Sequence, residues 1–499
     1  MHLTRRQFLL GGAAAAALSL GPRFTRIAGT GVSYAAGPGD AIVVFVQLFG
    51  GNDGVNMVYP LSGVQRGHYE TARPTLQLPK NAAGLTPWIN EGFPGGVSLN
   101  SIGANANGST YALHPTMGAL KQVYDAGKLA VIPGVHYPFA DHSHFRSMAI
   151  WWTADPLGAG TLGWFGKYLN AAGFQSTDVP ALVLGGSINP MFIPTQTSIF
   201  AFDQLSTLRY PADNSESGLK QATFEALYGL TPAVGGAYPE LVKIGQTGTA
   251  SIDKLEDYYR PGSGLANAGR VEALLLDNGS YSQYNPLVYD SPLNDARLDE
   301  MGLARDLRHV AATIRANVGA RFFHVGLGGF DTHSNQEDGF WHSWLLHELS
   351  ESMAAFYAEM QQSIGLPGGY SGYLTGSQSS KVVAVSFSEF GRTIRQNSTD
   401  PVKAGTDHAT SAPMLILGDP VIGNQYGEYP PLDDPADGND DLRMTTDLRD
   451  VFGTILSRWL NVGAGTLGPG ANTILAPTVP SDDNGQSYTT FTPLGFLPT

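Results

Sequence analysis

Six short runs of unbroken apolar residues constrain the fold of this chain more than any other feature. They are "AIVVFVQLF" (41–49), "LAVIPGV" (129–135), "ALVLGG" (181–186), "FFHVGLG" (322–328), "VVAVSF" (382–387) and "MLILG" (414–418). A strand with one wet face alternates apolar and polar residues, whereas a strand covered on both faces is apolar throughout. The runs therefore predict strands of a mostly parallel central sheet. Helical spacing lies between them: Leu303, Leu307, Val310 and Ile314 recur on one face, as do Leu345, Leu349, Met353, Phe356 and Met360. The segment "LRDVFGTILSRWLNV" (448–462) reads the same way. Strand, helix, strand in this order predicts an α/β fold with helices on both sheet faces. Residues 61–113 and 195–300, rich in Gly, Ser, Asn and Pro, are expected to be long loop excursions. Residues 36–499 are expected to form a single domain ending in a tail over 466–499.

Composition narrows the function classes. A net charge of −14 disfavours non-specific nucleic-acid binding, which needs a basic surface to displace counterions. The absence of cysteine excludes thiolate zinc sites, iron–sulfur clusters and cysteine nucleophiles. Any metal must be held by carboxylate, imidazole or hydroxyl groups. Residues 1–35 pair Arg5 and Arg6 with Phe8 and Leu9 ahead of a short apolar stretch, and "SYA" precedes Ala36. These are the parts of a twin-arginine (Tat-type) export signal. The apolar stretch is too short to span a bilayer, so no transmembrane segment is expected in the mature chain. The expected destination is the periplasm, the cell surface or the medium, by way of the Tat export machinery.

In open α/β sheets, ligand groups gather at the carboxyl ends of the strands. After the first run come Asn52 and Asp53; after the fourth, Asp331 and His333; after the fifth, Ser388, Glu389 and Arg392. Asp407 and His408 come shortly before the sixth. Carboxylates and imidazoles without sulfur suit zinc, manganese, magnesium or calcium. One or two divalent ions are expected, two ions about 4 Å apart being a common device in ester transfer. In "HYPFADHSHFRSMAIWW", Ser143 precedes a helical pattern, where backbone amides receive an anion. Blander readings stand beside each of these. Ser143 serves equally as a helix cap, Glu389 and Arg392 as a structural ion pair, and His142 and His144 as packing residues. The acidic stretch "LDDPADGNDD" (432–441) lacks calcium-loop spacing and reads as a solvated turn.

Taken together, "GGNDGVN", "HYP…SHF…W", "GGFDTHSNQ", "SEFGRT…N…GTDH" and "LRDVFGTILSRWL" resemble the exported bacterial family called domain of unknown function 1501. That family is assigned to the alkaline phosphatase and sulfatase superfamily, and the resemblance spans about residues 40 to 465. It implies an alkaline phosphatase-like fold in which Asp53 is a metal ligand and Ser143 the nucleophile. Asp331, His333 and His408 would hold a first metal. Glu389 would stand for the Asp of a second site, where Phe390 replaces the usual His. Asp407, His142 or His144 would be the substitute ligands there; an alternative alignment makes Asp407 and His408 the Asp-His pair, with no later His to complete the set. The short Asp331-to-His333 spacing and Ala409 in "GTDHA" depart from the pattern.

The resemblance implies an exported metal-dependent hydrolase of phosphate or sulfate esters. Phosphate is favoured because sulfatases often use a modified Cys. Arg392 or Arg146 would neutralise a small anionic ester or a polysaccharide-derived substrate. The alternative is a non-catalytic exported metal-containing protein that binds polysaccharide, lipid or a partner through Trp151, Trp152, Trp164 and Phe165. A redox role has no heme or flavin motif to support it.

Overall fold

A computed structural model describes residues 40–157, 162–174, 179–185, 187–193, 197, 199–202, 301–317, 319–363, 374, 376–436, 440–468, 473–475 and 491–498. The export segment, most of the 195–300 excursion and most of the 466–499 tail lie outside them.

The strands are β1 (Ile42–Leu48), β2 (Val58–Ser62), β3 (Ser101–Ala104), β4 (Thr110–Leu113), β5 (Leu129–His136), β6 (Ala181–Leu184), β7 (Ile199–Phe202), β8 (Phe322–Leu327), β9 (Val382–Ser388), β10 (Ala412–Leu417), β11 (Asn424–Gln425) and β12 (Thr446–Asp447). The α-helices are α1 (Gly54–Met57), α2 (Val64–Ala72), α3 (Thr86–Glu91), α4 (Gly118–Asp125), α5 (His144–Thr153), α6 (Trp164–Ala171), α7 (Gly302–Ala316), α8 (Trp341–Gln361), α9 (Leu448–Thr454) and α10 (Ala464–Leu467). All six apolar runs are strands of one sheet, ordered β11-β5-β10-β9-β1-β8-β6-β7 with β12 beside β5. Its pairings are parallel except for the two made by β10, which runs against β5 and β9.

The unbroken apolarity of β1 has a direct cause. Ile42, Val44, Val46 and Leu48 face a core completed by α4, α7 and α8, and Val43 and Phe45 face a second core completed by α5, α6 and α9. Helices therefore cover both sheet faces. Burying each such side chain contributes roughly 1.5–3 kcal/mol, which is how a disulfide-free chain of this size holds together. Trp151, Trp164 and Phe165 lie in the second core, at most 1% exposed, and Trp152 donates its indole N–H to Gln47 Oε1 at 3.1 Å. They pack the core and offer no open platform.

Two expectations are corrected. Residues 61–113 are not all loop: β2, β4 and β3 pair as a small antiparallel sheet, too short and Gly-interrupted to show a period. The 448–462 helix changes winding. After Thr454 it becomes a π-helix over Ile455–Trp459, and Asn461 at φ 55° ends it. The acidic 432–441 loop is pinned where it is described. Asp434 pairs with Arg443, and buried Asp441 meets His142 Nε2 at 2.8 Å.

Candidate metal centre

Strand direction delivers the site. β1, β8 and β9 are adjacent and parallel, with Leu48 level with Leu327 and Ser388. The chain therefore leaves all three side by side at Phe49, Gly328 and Glu389. β5 points the same way and delivers residues 137–144. Because β10 is reversed, the residues before it, 405–411, reach this edge. Gly50 sits at φ 114°, and a Cβ there would stand 2.5 Å from the Asp331 amide nitrogen. At Gly51, φ 75°, it would overlap the Phe390 ring. The "GG" of the first loop is thus the thickness of backbone that fits between neighbouring strand ends.

Arg392 ties these loops together from within. Its Nε donates to the Gly51 carbonyl at 2.7 Å, its Nη1 to that of Thr406 at 2.9 Å, and its Nη2 to those of Gly50 and Phe330. Nη2 also donates to Asp331 Oδ1 at 2.6 Å. The backbone of Arg392 pairs with that of His408 in an isolated bridge, which sets the imidazole beside the carboxylate.

Three imidazoles converge on Asp331. His408 Nε2 and His333 Nε2 lie 3.1 and 3.2 Å from Asp331 Oδ1 and 2.8 Å from each other. His144 Nε2 is 3.6 Å from Asp331 Oδ2, buried and without a hydrogen-bond partner. Each ring is held through its other nitrogen. His144 Nδ1 meets Glu389 Oε1 at 2.9 Å, His333 Nδ1 meets Asp407 Oδ1 at 2.9 Å, and His408 Nδ1 meets the His142 carbonyl at 2.8 Å. A carbonyl or carboxylate oxygen only accepts, so each Nδ1 carries the proton. In the neutral rings, all three Nε2 lone pairs then face one carboxylate. Two lone pairs at 2.8 Å require a second proton on one ring or a cation beside them. Oxygen-anchored imidazoles turned inward are the usual construction of a metal site. The His144, Asp331 and His408 donors lie within 4.8 Å of one another. Asp331 and His333 are about half exposed (51% and 44%), so the cluster opens to solvent.

Charge supports the same assignment. Burial raises the Asp331 pKa, but the hydrogen bond and the charge of Arg392, with the His408 ring beside it, outweigh this and hold the group at about 2. Burial lowers the His408 pKa against the pull of Asp331, which favours the neutral ring. Asp407 is raised by burial and lowered further by His333 and Asn397, leaving it ionised.

Residues 304–462 match the model of the family described as "Protein of unknown function (DUF1501)". Over these residues the chain is similar to that family. No curated protein and no solved structure matches it. The matched stretch contains Asp331, His333, Glu389, Arg392, Asp407 and His408, while Asp53, Ser143 and His144 precede it.

The remaining candidates stand apart from the cluster or behind it. Asp53 is fully buried, and both of its oxygens are taken by Arg73, Nη1 to Oδ2 at 2.5 Å and Nη2 to Oδ1 at 2.9 Å. Gln336 Nε2 also donates to Oδ2 at 2.5 Å. Burial raises its pKa, and Arg73 more than reverses this, leaving it below the ordinary value. Asn52 turns inward to His342. Glu389 and Asp407 brace imidazoles. Ser143 is the exposed N-cap of α5, its hydroxyl making no capping bond and its amide donating to Asp141 Oδ1 at 2.7 Å. Arg146 pairs with Asp141 at 3.2 Å and is half exposed. His144, which the sequence offered only as a substitute ligand or a packing residue, stands in the cluster itself. The signal for it was its position, next to Ser143 and at the mouth of a helix that follows β5.

Proposed function

We propose that this chain is an exported metal-dependent hydrolase of phosphate or sulfate esters, built on an alkaline phosphatase-like sheet. The observation that carries the reading is the set of three oxygen-anchored imidazoles turned onto an ionised carboxylate at the strand ends. The twin-arginine segment supports export. The donors fit a divalent ion: His144, His333, His408 and Asp331 would hold it. Bound there, it would supply a Lewis acid for a phosphoryl or sulfuryl oxygen. Among the described residues, no helix is long and apolar enough to cross a membrane.

The chain's own residues complete the reading. Ser143 stands next to a ligand, exposed, at the start of the ten-residue α5. An anion approaching it meets the positive end of the dipole of that helix. Its hydroxyl, free of any cap, is the nucleophile of the proposal. Arg146 lies less than one turn beyond it. Its exposed pair with Asp141 is worth about 0–1 kcal/mol and yields readily to a doubly charged ester oxygen group. Arg392 is saturated by carbonyls and Asp331, so its role is to hold Asp331 rather than to touch substrate.

The test is hydrolysis of chromogenic phosphate, phosphodiester and sulfate esters by the parent and by Ser143→Ala and Asp331→Asn. Activity on at least one ester, reduced at least about 100-fold in both variants, is expected. Activity unchanged in both variants refutes the assignment. No activity on any ester, with metal retained, favours the exported binding protein instead.

A further inference from the structure

We infer that the centre holds one ion, of the zinc class rather than magnesium or calcium, with His144 in its ligand set and Glu389 as the residue that positions it. The inference rests on the metal-centre part of the proposed function and not on hydrolysis.

The first argument is the donor set. Three imidazole nitrogens and one carboxylate suit a borderline transition ion, whereas magnesium and calcium select sets made of oxygen. Every Nδ1 already donates to an oxygen, so each ring has one nitrogen to offer, and that nitrogen faces Asp331. His144 is the decisive member. Its Nε2 is buried with no hydrogen-bond partner, 3.6 Å from Asp331 Oδ2. A buried polar atom left unpaired costs about 1–3 kcal/mol, and ligation satisfies it.

The second argument concerns the groups that a second ion would need. Glu389 is 1% exposed, and its Oε1 accepts both the Gly50 amide at 2.8 Å and His144 Nδ1 at 2.9 Å. Its Oε2 accepts the Ser388 hydroxyl at 3.2 Å. Asp53 has both oxygens on Arg73. A cation at Asp53 would have to displace a buried guanidinium that also holds the Thr393 and Ile394 carbonyls. Phe390 brings no donor. Its ring packs 4.8 Å from that of His144 and 4.7 Å from that of His408. The donors of His144, Asp331 and His408 lie within 4.8 Å of one another, and His333 Nε2 lies 2.8 Å from His408 Nε2, so the imidazoles gather at one point.

The experiment uses the full mature chain, stripped with a chelator, its fold checked by circular dichroism. Zinc is titrated against a chromophoric competitor, and magnesium and calcium are titrated separately. One zinc per chain is expected, held at least about 100-fold more tightly than magnesium or calcium. His144→Ala should weaken zinc at least about 100-fold. Glu389→Gln, which keeps an acceptor but loses the charge, should weaken it about 10- to 100-fold. Zinc-edge absorption should count one imidazole fewer in His144→Ala. Two ions bound per chain, tighter magnesium than zinc, or unchanged affinity and imidazole count in His144→Ala would each overturn the inference. One tightly held zinc in a chain that hydrolyses no ester would leave it standing while the hydrolase reading falls. Hydrolysis with two bound ions would do the reverse.

Discussion

Replacing Arg73 with methionine should be the most damaging single change beneath the candidate metal centre. The guanidinium is fully buried, forms a two-pronged pair with Asp53, and donates to the Thr393 and Ile394 carbonyls at 2.8 and 2.9 Å. Removing one partner of a buried ion pair leaves the other charge uncompensated, at a cost of about 3–5 kcal/mol. Each stranded carbonyl adds on the order of 1 kcal/mol. The expected loss is roughly 5–7 kcal/mol, read from the urea midpoint of unfolding at pH 7. The pH dependence gives a second handle. The parent's Asp53 has a folded pKa below its ordinary value. Its contribution is therefore present above the ordinary carboxylate range and lost as pH falls through the folded value. In Arg73→Met the unpaired carboxylate is driven towards protonation, so the gap between variant and parent should narrow on acidification. Asp53→Asn in the same chain should recover part of the loss. A loss under about 1 kcal/mol, or a gap that widens towards acid, would show that the pair does not hold the loop as described.

Two further tests probe separate parts of the fold. Gly50→Ala places a Cβ 2.5 Å from the Asp331 amide nitrogen at φ 114°; it should lower stability by about 2 kcal/mol or more and weaken zinc, and a variant matching the parent in both would contradict the packing of the strand-end loops. Asp450, in the first turn of α9, is pushed up to about 7 by burial and by Asp447, against its bond from the Thr492 amide. Its raised folded pKa means a stabilising contribution present below pH 4 and lost as pH rises through about 7. Asp450→Asn should therefore melt with the parent near pH 4 and gain about 1–2 kcal/mol at pH 8, after allowance for solvent screening; equal melting at both pH values would refute it.

The sheet was legible because burial on both faces leaves a local mark. Val43, Val44, Phe45 and Val46 are all 0% exposed, and a short β-branched run between turn residues is what a strand covered on both faces selects. The ends of those runs were legible for the same reason, which is how Asp331, His333 and His408 came to notice. Partnership was not legible. His144 meets Glu389 across 245 positions, and Gln336 meets Asp53 across 283. Nothing local distinguishes a carboxylate that would bind an ion from one that steadies an imidazole or neutralises a buried arginine. Arg73 lay in a stretch whose strands have four or five residues and interrupted registers, so neither it nor its pairing left a pattern. Strand direction is equally silent, since β10 has the same composition as its parallel neighbours.

The reversal of β10 has a practical consequence for anyone handling the protein. Along β1, β8 and β9 the permissive connections are those that enter the strand, because the exits build the centre. At β10 the rule inverts: the entry, through His408 to Ser411, is committed to the centre. The exit at Gly418–Gly423 turns away at the opposite edge, where Ile422 is half exposed. A fluorophore or affinity handle placed there reports on the chain from the far rim of the sheet, at the opposite end from the His144, Asp331 and His408 cluster.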